Sequence, residues 1–96
     1  MKDRFYVYIL TNHHNTVLYV GSTGELKNRI YLHRNRLIPG FSRRYNLCKL
    51  VYFESCLDEK SSLKREHQLK AGSRAKKIKL IESMANPWED MFNLIK

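Results

Sequence analysis

"LYVGSTGELKNRIYLHR" (Leu18–Arg34) is the stretch whose reading decides the fold of this chain. An aromatic and β-branched run stops at Gly21, and the segment Gly21–Gly24 turns into a pattern with helical period. The pattern predicts a helix from about Glu25 to Leu37, with Glu25 suited to its positive N-terminal end. Leu26, Ile30 and Leu37 form its inward face, and Arg29 and His33, one turn apart, fall beside and within that face. In 96 residues the interior is modest, and an unpaired buried polar group costs about 1–3 kcal/mol. An arginine and a histidine turned toward so small a core need a reason.

Upstream, "RFYVYIL" alternates Phe5, Val7 and Ile9 with Tyr6, Tyr8 and Leu10. The polar turn Asn12–Asn15 then joins it to the Leu18 strand as an antiparallel hairpin, with Tyr8 and Tyr19 on neighbouring strands. Downstream, "IPGFSRR" reads as a basic loop and "NLCKLVYFES" as a third strand, Leu47 to Glu54. Asp58 caps a second helix that ends at Ala71 before Gly72, and Ser73 caps a third, Arg74 to Met84. The third presents Ile78, Ile81 and Ala85 on one side and breaks at Pro87, after which Trp88 packs the tail back onto the body. The order ββαβαα predicts an α+β fold, a small antiparallel sheet with helices packed on it, in one domain over residues 1–96 with no appended module.

Eighteen Lys and Arg against nine Asp and Glu leave a net charge of +9. The excess gathers between Leu26 and Lys49 and again from Lys60 to Lys79, which points to a polyanion and favours nucleic acid over a merely solvated surface. The apolar run Phe5–Leu10 is too short for a signal or a membrane span, so the expected location is cytoplasmic and no membrane partner is expected. Cys48 and Cys56 lack a CxxC or histidine-rich context and read as reduced thiols. His13 and His14 read as solvated turn residues.

The second helix repeats the anomaly of the first. Leu63 and Leu69 define its sparse apolar side, and Glu66 falls between them. Arg29, His33 and Glu66 thus point from two helices toward one sheet, near the hydroxyls of Tyr6, Tyr8, Tyr19 and Tyr31. Two readings stay open on these residues alone. One is a structural Arg29–Glu66 salt bridge with a satisfied core histidine. The other is phosphodiester chemistry, which a buried ion pair's poor return in stability favours.

With those residues in view, the chain resembles the GIY-YIG nuclease superfamily, in particular its short, stand-alone YhbQ-like bacterial branch. The resemblance rests on "YVY" (Tyr6–Tyr8) with Ile9, on "YVG" (Tyr19–Gly21), on Arg29 and His33, on "REHQLK" around Glu66 and on "NPWEDM" from Asn86. It implies a central three-stranded antiparallel sheet flanked by helices, and a catalytic set of Tyr8, Tyr19, Arg29, His33 and Glu66 with Gly21 structural at the site. Candidate substrate-binding positions are Tyr45 and Asn86, which the resemblance suggests, together with Tyr6, Arg43, Arg44 and Lys70. The implied activity is a metal-dependent DNA endonuclease, structure-selective and linked to repair or recombination, with one divalent ion, Mg²⁺ or Mn²⁺, on Glu66. Arg29 would face the developing phosphate charge, and Tyr8 is the first choice of base, with Tyr19 or His33 assisting. Tyr6 stands where the family's first glycine is expected. The alternative function is a nucleic-acid-binding module with this fold and little or no turnover, and a protein partner could supply target choice.

Overall fold

The structure, a computed structural model, describes residues 4–95. Strands β1 (Phe5–Thr11), β2 (Leu18–Thr23) and β3 (Lys49–Cys56) form an antiparallel sheet in the order β2-β1-β3. Around it lie helices α1 (Leu26–Arg34), α2 (Phe41–Arg44), α3 (Glu59–Ala71) and α4 (Arg74–Glu82), and a 3₁₀ turn, Phe92–Leu94, follows. The α+β class and the three-stranded sheet are those expected from the sequence.

Because β1 is central, both of its faces need cover. Val7 and Ile9 pack with Val20, Val51, Tyr52, Leu69 and Ile81 beneath α3 and α4. Tyr8 and Leu10 pack with Leu26, Ile30, Leu47, Leu50 and Met91 beneath α1 and the C-terminal tail. Residues paired across an antiparallel ladder share a face. The pairs Tyr8↔Gly21 and Tyr8↔Phe53 therefore lie on the α1 side, and Val7↔Ser22 and Val7↔Glu54 on the α3 side. This corrects the convergence expected of Arg29, His33 and Glu66: their helices cover opposite faces, and period-two alternation divides the residues between them.

The caps follow the sequence. Asp58 accepts the Ser61 N–H at 2.8 Å, Ser73 accepts that of Lys76 at 3.2 Å, and Gly72 closes α3. Several boundaries move. Helix α1 ends at Arg34, so Leu37 lies beyond it and is 59% exposed. Strand β3 begins at Lys49, and the buried Leu47 is held outside it through an N–H bond to the Ser42 carbonyl. Helix α4 stops at Glu82, capped by Ser83, well before Pro87, and Ala85 is exposed. Leu63 is 52% exposed, because the inner line of α3 runs through Ser62, Glu66 and Leu69. A serine does the work of close packing there: Ser62 bonds back to the Glu59 carbonyl and lets the helix approach the sheet.

Trp88 packs against the α3–α4 core, as expected of the tail. The clasp itself is Asp90. Its Oδ1 accepts the N–H groups of Leu50 at 3.1 Å and Phe92 at 3.0 Å, its other oxygen pairs with Arg34, and Met91 N–H reaches the Leu50 carbonyl at 2.8 Å. Asp90→Ala leaves the fully buried Leu50 without its N–H acceptor, so it should cost about 1–3 kcal/mol, read as a lower urea midpoint at unchanged m-value. An unchanged midpoint would show that the tail is not fastened through this carboxylate.

Candidate active site

The ring of Tyr8 lies across Gly21, its partner on β2. A Cβ at Gly21 would stand 2.4 Å from the Tyr8 Oη and 2.5 Å from Cζ, so only a residue without a side chain fits. Tyr8 is 1% exposed, and its Oη lies 3.1 Å from His33 Nε2. His33 is buried on α1, and its Nδ1 lies 2.8 Å from the Oγ of Ser42, also buried. Ser42 reaches that position because Gly40, at φ 111°, turns the loop into α2.

Burial, reinforced by the cation of Arg29, lowers the His33 pKa to about 4, so the imidazole is neutral near pH 7. One ring nitrogen then donates and the other accepts. Either Tyr8 donates to Nε2 while Nδ1–H donates to Ser42, or the Ser42 hydroxyl donates to Nδ1 while Nε2–H donates to Tyr8. Burial above all, then the neighbouring Tyr19 phenol, pushes the Tyr8 phenol well above its ordinary value; Arg29 pulls it down and Glu66 adds to the rise. Tyr8 is therefore a protonated phenol, and the charges of Arg29 and Glu66 both reach it.

Tyr19 continues the array outward. Its ring lies 5.6 Å from His33 and stacks on Phe41 at 6.0 Å. Phe41 meets Tyr45 at 4.7 Å, the Arg44 guanidinium lies 5.7 Å over the Tyr45 ring, and Arg43 is exposed beside them. The expected basic loop is thus a short helix carrying an aromatic shelf edged by arginines.

Glu66 stands on the opposite face of β2. Its Oε1 accepts the Ser22 hydroxyl at 2.6 Å and its Oε2 meets Lys70 Nζ at 2.8 Å. Burial would raise its pKa, but the hydrogen bonds from Lys70 and Ser22 outweigh burial and hold the carboxyl below the usual range. β2 is an edge strand, so the two faces meet around its free side. A groove lined by Leu18, Tyr19, Val20, Phe41, Lys70 and Lys77 wraps that edge.

Among the described residues no three His, Cys, Asp or Glu side chains cluster as a metal cage. The donors at Glu66 nevertheless fit a hard divalent ion. An ionised carboxylate, a hydroxyl and access to solvent are what an ion retaining several waters requires, and a cation, the Lys70 ammonium, already rests on Oε2.

Tyr8, Tyr19, His33 and Gly21 come together on one side of β2, Glu66 and Lys70 on the other, and Tyr45, Arg43 and Arg44 border the Tyr19 shelf. Arg29 is exposed and pairs with Glu66 nowhere, so the structural Arg29–Glu66 bridge is corrected to a Lys70–Glu66 pair. Asn86 is exposed and lines a separate depression with Phe53 and Met84. Tyr6 is half-buried with its ring edge-on to Phe53 at 6.3 Å, and Tyr31 is exposed on α1. Sequence reasoning missed Ser22, Ser42, Phe41 and Lys77. Alternation marked Ser22 as sharing a strand face with Val20, but nothing local marked Ser42.

Comparison with known proteins adds three findings. The family model described as the GIY-YIG catalytic domain matches residues 4–79. A UPF0213 protein of Staphylococcus saprophyticus is 34% identical over 79 residues, covering 82% of this chain and 95% of that one. Another, from Clostridium perfringens, is 37% identical over 78 residues, covering 81% and 83%. The solution NMR structure of a UPF0213 protein from Bacillus halodurans superimposes with a TM-score of 0.55 at 27% identity, covering 90% of each chain.

Two outcomes follow from the Tyr8–His33 geometry. Gly21→Ala should destabilise by about 1–3 kcal/mol, since the enclosed phenol has nowhere to move, and should break the Tyr8–His33 contact seen by imidazole ¹⁵N shifts. Between pH 6.5 and about 4 the unfolded chain binds a proton at His33 that the folded chain does not. Stability should therefore fall on acidification through that window, by on the order of 3 kcal/mol in full, and level off above it. In urea melts His33→Gln should remove most of the slope between pH 6.5 and 5, above the carboxylate range; a slope that survives would place its origin elsewhere.

Proposed function

We propose that this chain, which belongs to the GIY-YIG catalytic-domain family, is an endonuclease that hydrolyses DNA phosphodiester bonds with the help of one divalent ion at Glu66. The observation that carries the reading is the Tyr8–His33–Ser42 line of hydrogen bonds, buried in a domain of net charge +9 and packed against Tyr19, which lines the groove. A purely binding surface has no need of a dry phenol–imidazole pair.

The attacking water gives a proton to the Tyr8 Oη as Tyr8 passes its own to His33 Nε2, and the Nδ1–H of the resulting imidazolium donates to Ser42. The relay spares the site a free phenolate, which burial disfavours. Arg29, exposed and close enough to bias both Tyr8 and His33, supplies a fork of donors to the nonbridging oxygens as their charge grows. Gly21 holds the phenol in place, Tyr19 borders the groove, and Glu66, fixed by Ser22, is the carboxylate that would hold Mg²⁺ or Mn²⁺. Once bound, such an ion stabilises charge on the scissile phosphate and the leaving oxygen. Arg43, Arg44, Tyr45 and Lys70 take the flanking backbone mainly through phosphates, with steep salt dependence.

The test is cleavage of single-stranded, duplex, flap and junction DNA with and without Mg²⁺. Glu66→Gln and Arg29→Ala should each slow cleavage by about 10²-fold or more without loss of fold. Undiminished cleavage by a folded Glu66→Gln protein would refute the mechanism. Salt-sensitive binding with no cleavage of any substrate would establish the binding-module reading instead.

A further inference from the structure

Both oxygens of the Glu66 carboxylate are occupied, and the two occupants differ in kind. On Oε1 sits Ser22, a short side chain on a paired strand, bonded at 2.6 Å. On Oε2 sits Lys70, one helical turn away at 2.8 Å, on a long stem whose side chain is 54% exposed against 18% for Glu66. If one partner is to leave, the lysine leaves at least cost: its ammonium regains water, whereas Ser22 is anchored by the sheet. Lys70 also lines the groove over β2 with Tyr19, Phe41 and Lys77, so the released ammonium has a place where a strand's phosphates would run.

Charge makes the exchange conditional. Glu66 contributes one negative charge, Lys70 cancels it, and Lys77 stands in the same groove with its Nζ 2.8 Å from the Gly72 carbonyl. No three His, Cys, Asp or Glu side chains cluster among the described residues, so a divalent ion approaching Glu66 in the free protein meets a carboxylate whose charge a lysine already offsets. An arriving phosphate changes both terms: it supplies negative charge and it offers Lys70 another anion.

We infer that Lys70 is a stand-in cation that holds the metal-side oxygen of Glu66 in the free protein and moves to a substrate phosphate when nucleic acid binds, so that divalent-ion binding and nucleic-acid binding are coupled through this one side chain. The inference rests on the reading of Glu66 given under the proposed function. Coupling is reciprocal: whatever factor DNA adds to metal affinity, metal adds to DNA affinity.

The experiment measures Mn²⁺ binding to the full chain without nucleic acid, by the electron paramagnetic resonance signal of the free ion, for wild type, Lys70→Met, Lys70→Arg and Glu66→Gln. Lys70→Met, which keeps the aliphatic stem, should bind Mn²⁺ at least about fivefold more tightly than wild type, and Lys70→Arg should behave as wild type. In EDTA, Lys70→Met should bind a short DNA duplex more weakly, with a salt slope smaller by about one. Glu66→Gln should abolish Mn²⁺ binding. If Glu66→Gln abolishes it and Lys70→Met leaves it unchanged, the stand-in role is wrong while the metal site stands. If Glu66→Gln binds Mn²⁺ like wild type, the metal assignment itself falls and the inference with it.

Discussion

The contact between the Tyr8 phenol and the bare backbone of Gly21 determines where everything else at the site must stand. Tyr8 lies on the central strand, enclosed from both sides, and no side chain larger than hydrogen can occupy the position opposite its ring. With the ring fixed, its hydroxyl is aimed at α1 and must find a partner in dry surroundings, which His33 supplies. The imidazole then has a second nitrogen to satisfy, and Ser42 satisfies it from a helix of four residues. Leaving any of these groups unpaired would cost about 1–3 kcal/mol, a large share of the stability of so small a protein. One steric constraint on β2 thus propagates through two hydrogen bonds into the shape of the Gly40–Asn46 loop.

The same economy explains why the site straddles an edge strand. A core this size can enclose neutral polar groups that satisfy one another; it cannot easily enclose a guanidinium and a carboxylate. The neutral members, Tyr8, His33 and Ser42, lie inside, while Arg29 is exposed and Glu66 keeps a solvent-facing lysine. β2 separates the two groups by the thickness of one sheet, and the groove along its free side is lined by residues from both faces, Tyr19 on one and Leu18 and Val20 on the other. Lys70 and Lys77 along that side also discourage another strand from pairing there.

Much of this was legible in the sequence where local chemistry and period agree. The hairpin, the caps Asp58 and Ser73, the stop at Gly72 and the inward position of Glu66 all follow from residue type and spacing. Leu37 and Leu63 were misread because a leucine at helical spacing counts as core only if the helix reaches it or turns it inward. Helix α1 stops three residues short of Leu37, and Ser62, not Leu63, faces the sheet. Arg29 was placed beside the core by angle alone, but a long exposed side chain follows solvation rather than helical phase. The division of the site could not be read from helix faces, because it depends on which sheet face each helix covers. Ser42 was hidden for a related reason: its partner lies nine residues back and only the folded loop brings them together.

On the proposed mechanism, the neutrality of the buried pair bears on when proton transfer can begin. An ordinary phenol costs about 4 kcal/mol to ionise at pH 7, and Tyr8 costs more. An imidazole with a pKa of about 4 costs on the order of 4 kcal/mol to protonate at the same pH. Proton transfer from Tyr8 to His33 is therefore uphill at both ends while the groove is empty. Both costs respond to the charges that substrate binding changes. Burial is the larger cause of the His33 shift, and the Arg29 cation adds to it; a phosphodiester paired with Arg29 cancels that second contribution and makes the imidazole a better acceptor. Of the influences on Tyr8, the Glu66 anion raises its pKa, so positive charge brought to Glu66 lowers the cost of losing the phenolic proton. Pairing Arg29 also removes the pull that lowers the Tyr8 pKa, so it helps the acceptor while opposing the donor, and only the change at Glu66 favours the transfer without an opposing effect. On the proposed mechanism, the relay from Tyr8 to His33 is therefore governed by positive charge brought to the Glu66 side of the edge strand.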